Sequence, residues 1–235
     1  MSLAPQEVAK QAAATAAATL VQSGMVVGLG TGTTAAFLLE ALAARIQEGR
    51  LRITGVPTSQ RTAAEAVRLG IPLTDLTAAF RVDLAIDGAD EVEAGKLNLI
   101  KGLGGALLRE KIVACAAQRF VVIADRSKCV ERLGDHAPLP VEVVSYGHEV
   151  TARRLADLGG TPVLRRNSTG APFVTDSGNL LYDCRGFAPI DDPLGLGARL
   201  ATTVGVVESG LFTALATEAY IGDVSGAVQI LRPDR

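Results

Sequence analysis

Met25-Val26-Val27-Gly28-Leu29-Gly30-Thr31-Gly32-Thr33-Thr34-Ala35 sets the reading of this chain, because an apolar run meets a glycine–threonine turn and then a helix. Residues 25–28 read as a short strand and 35–46 as a helix with alanine and leucine on its inner stripe. Glycines let a chain turn tightly and approach a ligand closely, and the N–H groups that open a helix favour an anion. Three hydroxyls, at 31, 33 and 34, suit phosphate or sugar oxygens; equally, the turn is a strand–helix junction whose threonine caps the helix. A dinucleotide fingerprint needs glycine where Thr33 stands and an acid ending the next strand, which instead ends Val56-Pro57-Thr58-Ser59. No Gly-Lys-Ser/Thr follows, so a nucleotide-binding loop is excluded as well.

Outward from this turn, helices are predicted over 4–22, 62–69 and 106–118, and strands over 53–56, 82–86, 97–100 and 120–124. Strands alternating with helices of roughly 10–15 residues imply an α/β fold, a Rossmann-like, mainly parallel sheet with helices on both faces. After about residue 133 the texture changes. Pro138 and Pro140 flank a strand at 141–145, a helix follows over 147–158, and 170–186 reads as a hairpin around Val174-Thr175-Asp176-Ser177-Gly178-Asn179-Leu180. That pattern predicts a smaller α+β satellite domain at 134–207, with 1–133 and 208–235 forming the Rossmann-like catalytic domain.

The 235 residues suffice for a sizeable core, and 48% apolar with 20% charged residues is ordinary for a globular protein. A net charge of −2 with scattered basic residues gives no nucleic-acid footprint, so a bound phosphate would need positive charge gathered locally. The first helix reads as amphipathic rather than as a signal peptide, and no stretch is long enough to span a bilayer. Cys115, Cys129 and Cys184 fit neither a zinc site nor a disulfide framework and read as reduced, buried thiols of a cytoplasmic protein. His136 and His148 lie apart from any glycine turn or carboxylate cluster. Proton chemistry is left to Asp, Glu and Lys.

Two further segments bear such residues. The strand 82–86 runs into Asp87-Gly88-Ala89-Asp90-Glu91, at the carboxyl end where ligands of open α/β sheets bind. Clustered carboxylates raise one another's pKa, but a capped turn or a magnesium site of oxygen ligands fits the same residues. The run 97–100 leads into Lys101-Gly102-Leu103-Gly104-Gly105-Ala106-Leu107-Leu108-Arg109-Glu110-Lys111. Helical spacing puts Glu110 four residues from Ala106, either facing back toward the turn or out to solvent.

In this order, with Ala124-Asp125-Arg126-Ser127-Lys128, Pro138-Leu139-Pro140-Val141-Glu142-Val143 and Val174-Thr175-Asp176-Ser177-Gly178-Asn179, the motifs resemble the ribose-5-phosphate isomerase type A family over most of the chain. Thr33 stands for that family's usual serine, and Leu103 interrupts a glycine triplet. The resemblance implies interconversion of D-ribose 5-phosphate and D-ribulose 5-phosphate, in the non-oxidative pentose phosphate pathway, through a cis-enediol. It makes Glu110 the carbon-proton base, Asp87 with Asp90 the aid to ring opening and hydroxyl proton traffic, and Lys101 the stabiliser of the enediolate. Substrate contacts would come from Thr31, Gly32, Thr33, Thr34, Gly88, Ala89, Gly102, Leu103, Gly104 and Gly105. Lys128 would grip the phosphate, with Ser59 and Thr62 as further candidates. The family uses no metal or organic cofactor, and it forms homodimers, sometimes tetramers. The same fold type also carries non-catalytic sugar-phosphate sensor domains and coenzyme A transferases. A sensor would follow a DNA-binding helix-turn-helix, whereas one alanine-rich helix precedes Met25; a transferase is usually larger.

Overall fold

The computed structural model of the chain describes residues 3–77, 79 and 81–234. The order is α1 (Pro5–Ala18), β1 (Val26–Leu29), α2 (Thr33–Gln47), β2 (Thr54–Pro57), α3 (Gln60–Arg68) and β3 (Leu84–Gly88). Then come β4 (Glu91–Glu93), β5 (Leu99–Ile100), α4 (Leu107–Ala116) and β6 (Phe120–Asp125), and a 3-10 turn at Arg126–Lys128 leads to β7 (Cys129–Val130). The remainder is β8 (Leu139–Val143), α5 (His148–Asp157), β9 (Thr161–Leu164), β10 (Leu180–Arg185), α6 (Pro193–Ala201), β11 (Val206–Ser209), β12 (Leu211–Phe212), β13 (Glu218–Gly222) and β14 (Val228–Leu231).

The main sheet runs β14-β13-β6-β3-β1-β2, parallel except where β14 closes one edge antiparallel to β13. Its side chains alternate with the period of a strand. Val121, Ile123, Leu84 and Ile86 are buried in one cluster with the α1 alanines Ala13, Ala14 and Ala17 and with Leu38 and Leu42 of α2. Val122, Ala124 and Ala85 point the other way, into a cluster with Val113 and Ala114 of α4. Helices therefore cover both faces, and each fully buried Val, Leu or Ile contributes roughly 1.5–3 kcal/mol.

The run 97–100 is a strand only at Leu99–Ile100, and it lies outside the main sheet. β5 pairs antiparallel with β4 and β12 in the sheet β12-β5-β4-β7. Leu99 is buried with Val92 and Phe212, whereas Ile100 is buried with Leu139 and Leu211, so β5 joins two hydrophobic clusters. The second four-stranded sheet, β11-β8-β10-β9, spans residues 139–209, and β11 crosses the expected cut at 207/208. The hairpin expected over 170–186 is reduced to one antiparallel bridge, Val174 with Leu180, around a turn closed by Thr175 N–H to Asn179 C=O at 2.9 Å, while β10 pairs with β8 and β9. Glu142 of β8 draws that turn inward, accepting from Thr175 Oγ1 and Asn179 Nδ2 at 2.9 Å each. α6 begins at Asp192-Pro193, with Asp192 Oδ1 accepting from Gly195 N–H at 2.9 Å. That start signal is masked in the sequence by Gly195 and Gly197, both poor helix formers. Among the described residues, no helix is long and apolar enough to cross a membrane.

Candidate active site

β1 and β3 are neighbours, with β2 beyond one and β6 beyond the other, so the chain leaves them in opposite directions. This is the switch point at which open α/β sheets bind ligands. A polar cavity lies there. It is lined by residues 31–34 after β1, by Gly88, Ala89 and Asp90 after β3, by Lys101, Gly102 and Gly104 after β5, and by Glu110, Lys10 and Lys128. Three of the chain's five lysines gather at it, the local positive charge that a phosphate requires in an acidic protein. The turn after β1 presses against β3: a Cβ on Gly30 would lie 2.2 Å from Asp87 Oδ1. Only glycine permits this approach, which lets the Thr31 N–H donate to Asp87 Oδ1 at 2.9 Å.

Strand alternation turns Asp87 toward the α4 face, with Ala85 and away from Ile86. Glu110 arrives from the opposite side, on the buried stripe Leu107, Glu110, Val113 and Ala114 of α4. Lys101, placed by the end of β5, stands between them. Its Nζ lies 3.1 Å from Asp87 Oδ2 and 3.4 Å from Glu110 Oε2, and donates to the Gly88 carbonyl at 2.5 Å. All three are buried, with 2%, 3% and 4% exposure for Lys101, Asp87 and Glu110. Asp87 Oδ1 has two backbone donors, Thr31 and Gly88, whereas Asp87 Oδ2 and Glu110 Oε2 have no hydrogen-bond partner.

Two carboxylates and one ammonium share this space, so a fully ionised cluster carries a buried excess of negative charge. Burial pushes the Glu110 carboxyl up to about 8; Lys101 opposes this, and Asp87 and Asp90 add to it. Burial also pushes Asp87 upward, against Lys101 and the N–H groups of Thr31 and Gly88. Burial works against charge on Lys101, yet Asp87, Glu110 and Asp90 outweigh it and hold the ammonium up at about 12. Lys101 is therefore a fixed cation, and Glu110 is a carboxyl poised near neutrality, the range of an effective general base.

A model of the family "Ribose 5-phosphate isomerase A (phosphoriboisomerase A)" matches residues 54–226. A curated relative from Roseiflexus sp. (strain RS-1), named ribose-5-phosphate isomerase A, is 57% identical over 225 residues, covering 95% of this chain and 96% of that one.

The chain belongs to the ribose 5-phosphate isomerase A family.

The solved ribose 5-phosphate isomerase A of Methanocaldococcus jannaschii agrees in fold, with a TM-score of 0.90 at 42% identity over 95% of this chain and 97% of that one. A D-ribose-5-phosphate isomerase solved in complex with phospho-erythronic acid has a TM-score of 0.91 at 36% identity, covering 95% and 97%. By class the chain is an enzyme, an aldose–ketose isomerase.

Within this family member the sequence-derived candidates divide. Glu110, Lys101, Asp90, Gly32, Thr33, Thr34, Gly88, Ala89, Gly102, Gly104 and Lys128 line the cavity, and Asp87 touches it through Lys101. Thr31 also lines it, but its hydroxyl is engaged with Thr58, Ser59 and Thr62 at 2.7–3.0 Å, in a buried cluster that ties the turn to α3. Ser59 caps α3, accepting from the Thr62 N–H at 3.0 Å, so neither Ser59 nor Thr62 is placed on the cavity wall. Leu103 is exposed, and its N–H donates to Asp90 Oδ2 at 2.9 Å. Gly105 lies under the Phe173 ring instead of at the cavity. Glu91, one oxygen donor of the magnesium alternative, is fully buried and accepts from the N–H groups of Gly134, His136 and Ala137 at 2.6–2.7 Å. Among the described residues, no three His, Cys, Asp or Glu side chains are grouped to hold a metal. Of the three cysteines expected to be buried, Cys184 is, Cys129 is half-buried and Cys115 is exposed.

Sequence reasoning missed Lys10. It sits on α1, and its Nζ donates to Thr33 Oγ1 at 3.0 Å. Only the packing of α1 beside the N-terminus of α2 brings it there. Its sole signal was a charge in an otherwise alanine-rich helix.

Proposed function

We propose that the chain interconverts D-ribose 5-phosphate and D-ribulose 5-phosphate through a cis-enediol, with Glu110 as the base. The observation that carries this is Glu110 itself: a buried carboxyl at the cavity wall, one oxygen free of hydrogen bonds, beside a fixed ammonium. In the aldose, Glu110 takes the C2 proton. The electron pair forms the C1–C2 double bond, and negative charge moves onto the former aldehyde oxygen. Lys101 and the Gly104 N–H stabilise that oxygen, since the N–H groups of Leu103 and Gly105 are taken by Asp90 and by the Gly102 carbonyl. One preorganised donor typically contributes roughly 2.7–4 kcal/mol. Protonation there gives the enediol. Loss of the C2 hydroxyl proton, with return of the carbon proton from Glu110 to C1, gives the ketose. Asp87 and Asp90 carry the hydroxyl protons and open the sugar ring.

The phosphate falls to Lys10, Lys128 and the N-terminus of α2 at Thr33 and Thr34, where N–H groups and the helix dipole favour an anion. Phospho-erythronic acid, with which the related isomerase was solved in complex, carries a carboxylate at one end and a phosphate at the other, so it should inhibit here as well. The family resemblance also supports a cytoplasmic homodimer in the non-oxidative pentose phosphate pathway. The wild-type protein should convert ribose 5-phosphate to ribulose 5-phosphate at an undiminished rate in excess EDTA; loss of turnover to the chelator would contradict the metal-free mechanism. Lys10→Met should raise KM for ribose 5-phosphate about 10–100-fold with little change in kcat, since a charge-assisted bond contributes roughly 1.5–3 kcal/mol and binds both states alike. An unchanged KM would remove Lys10 from the phosphate site.

A further inference from the structure

Arg165, one residue past β9, divides its guanidinium between two tasks. Nε donates to Asp183 Oδ2 at 2.9 Å and Nη2 donates to Asp183 Oδ1, a fork that fixes the plane of the group. Nη1 donates to the carbonyls of Gly102 and Leu103, at 3.0 and 3.1 Å. Phe173, whose ring centre lies 5.9 Å from the guanidinium, covers Gly105 so closely that a Cβ there would come within 2.5 Å of the ring. The small sheet thus grips the turn 102–105 from outside, while Asp90 accepts from the Leu103 N–H.

The consequence follows from peptide geometry. In a trans peptide the C=O and the next N–H point in opposite directions. With the Leu103 carbonyl turned to Arg165, the Gly104 N–H is turned away from it, and Gly104 lines the cavity. Gly102 and Gly104, the glycines that flank these peptides, offer little resistance of their own to a flip.

We propose that Arg165 is a positioning residue, held by Asp183, that sets the orientation of the Gly104 N–H donor from the small sheet. This rests on the isomerase reading, in which that donor faces the enediolate. The test compares wild type, Arg165→Met and Arg165→Lys for kcat and KM with ribose 5-phosphate, inhibition by phospho-erythronic acid, inhibition by inorganic phosphate, and melting temperature. Arg165→Met should lose at least tenfold in kcat and in phospho-erythronic acid affinity, with phosphate inhibition changed less than twofold. Arg165→Lys keeps the charge but cannot hold Asp183 in a fork and both carbonyls at once, so it should recover only part of the loss. If Arg165→Met does not fold, the same split between the two inhibitors is read in Arg165→Lys. Unchanged kcat in the readable variant, or equal loss of both inhibitors, overturns the proposal. Absence of turnover by wild type would instead overturn the isomerase reading.

Discussion

Glu110→Gln lowers kcat for ribose 5-phosphate by about 10³-fold or more, near the upper range for a positioned general base, and makes the protein more stable at pH 8. The amide keeps the shape of the protonated acid but cannot take a proton from carbon. The stability gain follows from the raised carboxyl. In the unfolded chain this glutamate ionises near 4.5, but in the folded protein only near 8. Its contribution to stability is therefore fully present below pH 4.5 and is lost as pH rises toward 8, because ionisation favours the unfolded chain across that window. Glutamine does not ionise, so denaturation at pH 8 should show a gain of roughly 4 kcal/mol, vanishing near pH 4. The wild-type kcat/KM should climb about tenfold per pH unit below a midpoint near 8, as the free base appears. A variant with near-normal kcat, or no stability gain at pH 8, would contradict this account of Glu110.

Lys101→Met abolishes measurable turnover and also unfolds the protein more readily. Asp87 Oδ2 has no hydrogen-bond partner, and Lys101 is its ion-pair partner; the same cation faces Glu110 Oε2. Removing one member of a buried ion pair typically costs 3–5 kcal/mol, because an uncompensated charge is left behind. At this chain length that corresponds to a fall in melting temperature of roughly 10 °C near pH 7.5. The fall should shrink at pH 5, where the Glu110 carboxyl holds its proton. Lys101 has the same sign of pH dependence as Glu110, in a higher window. Its pKa is raised from 10.5 to about 12, so its stabilising effect is fully present below pH 10.5 and lost as pH rises through 12. Calorimetry at the two pH values checks this, and an equal loss at both would mean that charge is not the reason.

Much of this site was legible in local pattern. The glycine–threonine turn lies at a strand–helix junction, and Asp87 ends a strand, because both signals are carried by a few adjacent residues. Glu110 had a clearer signal than its place four residues into a helix: with Leu107, Val113 and Ala114 it falls on the apolar stripe of α4. A glutamate on such a stripe is buried, and a buried glutamate titrates upward. Lys10, Arg165 and the inward turn of Thr31 were not legible. Each depends on elements far apart in the chain: α1 beside α2, β9 beside the turn after β5, and α3 beside the turn after β1. β5 was misplaced for a related reason. A two-residue apolar strand does not show which sheet it joins, and only its pairing with β4 and β12 decides that.

The most direct test is solvent-deuterium incorporation at C2 of ribose 5-phosphate, followed by proton NMR in D2O, for wild type and Glu110→Gln. Inhibition by phospho-erythronic acid confirms that the variant still has an intact site. Wild type should exchange the C2 proton as it turns over, and Glu110→Gln should leave that proton in place while still binding the inhibitor. Exchange by the variant at the wild-type rate would show that another group removes the proton.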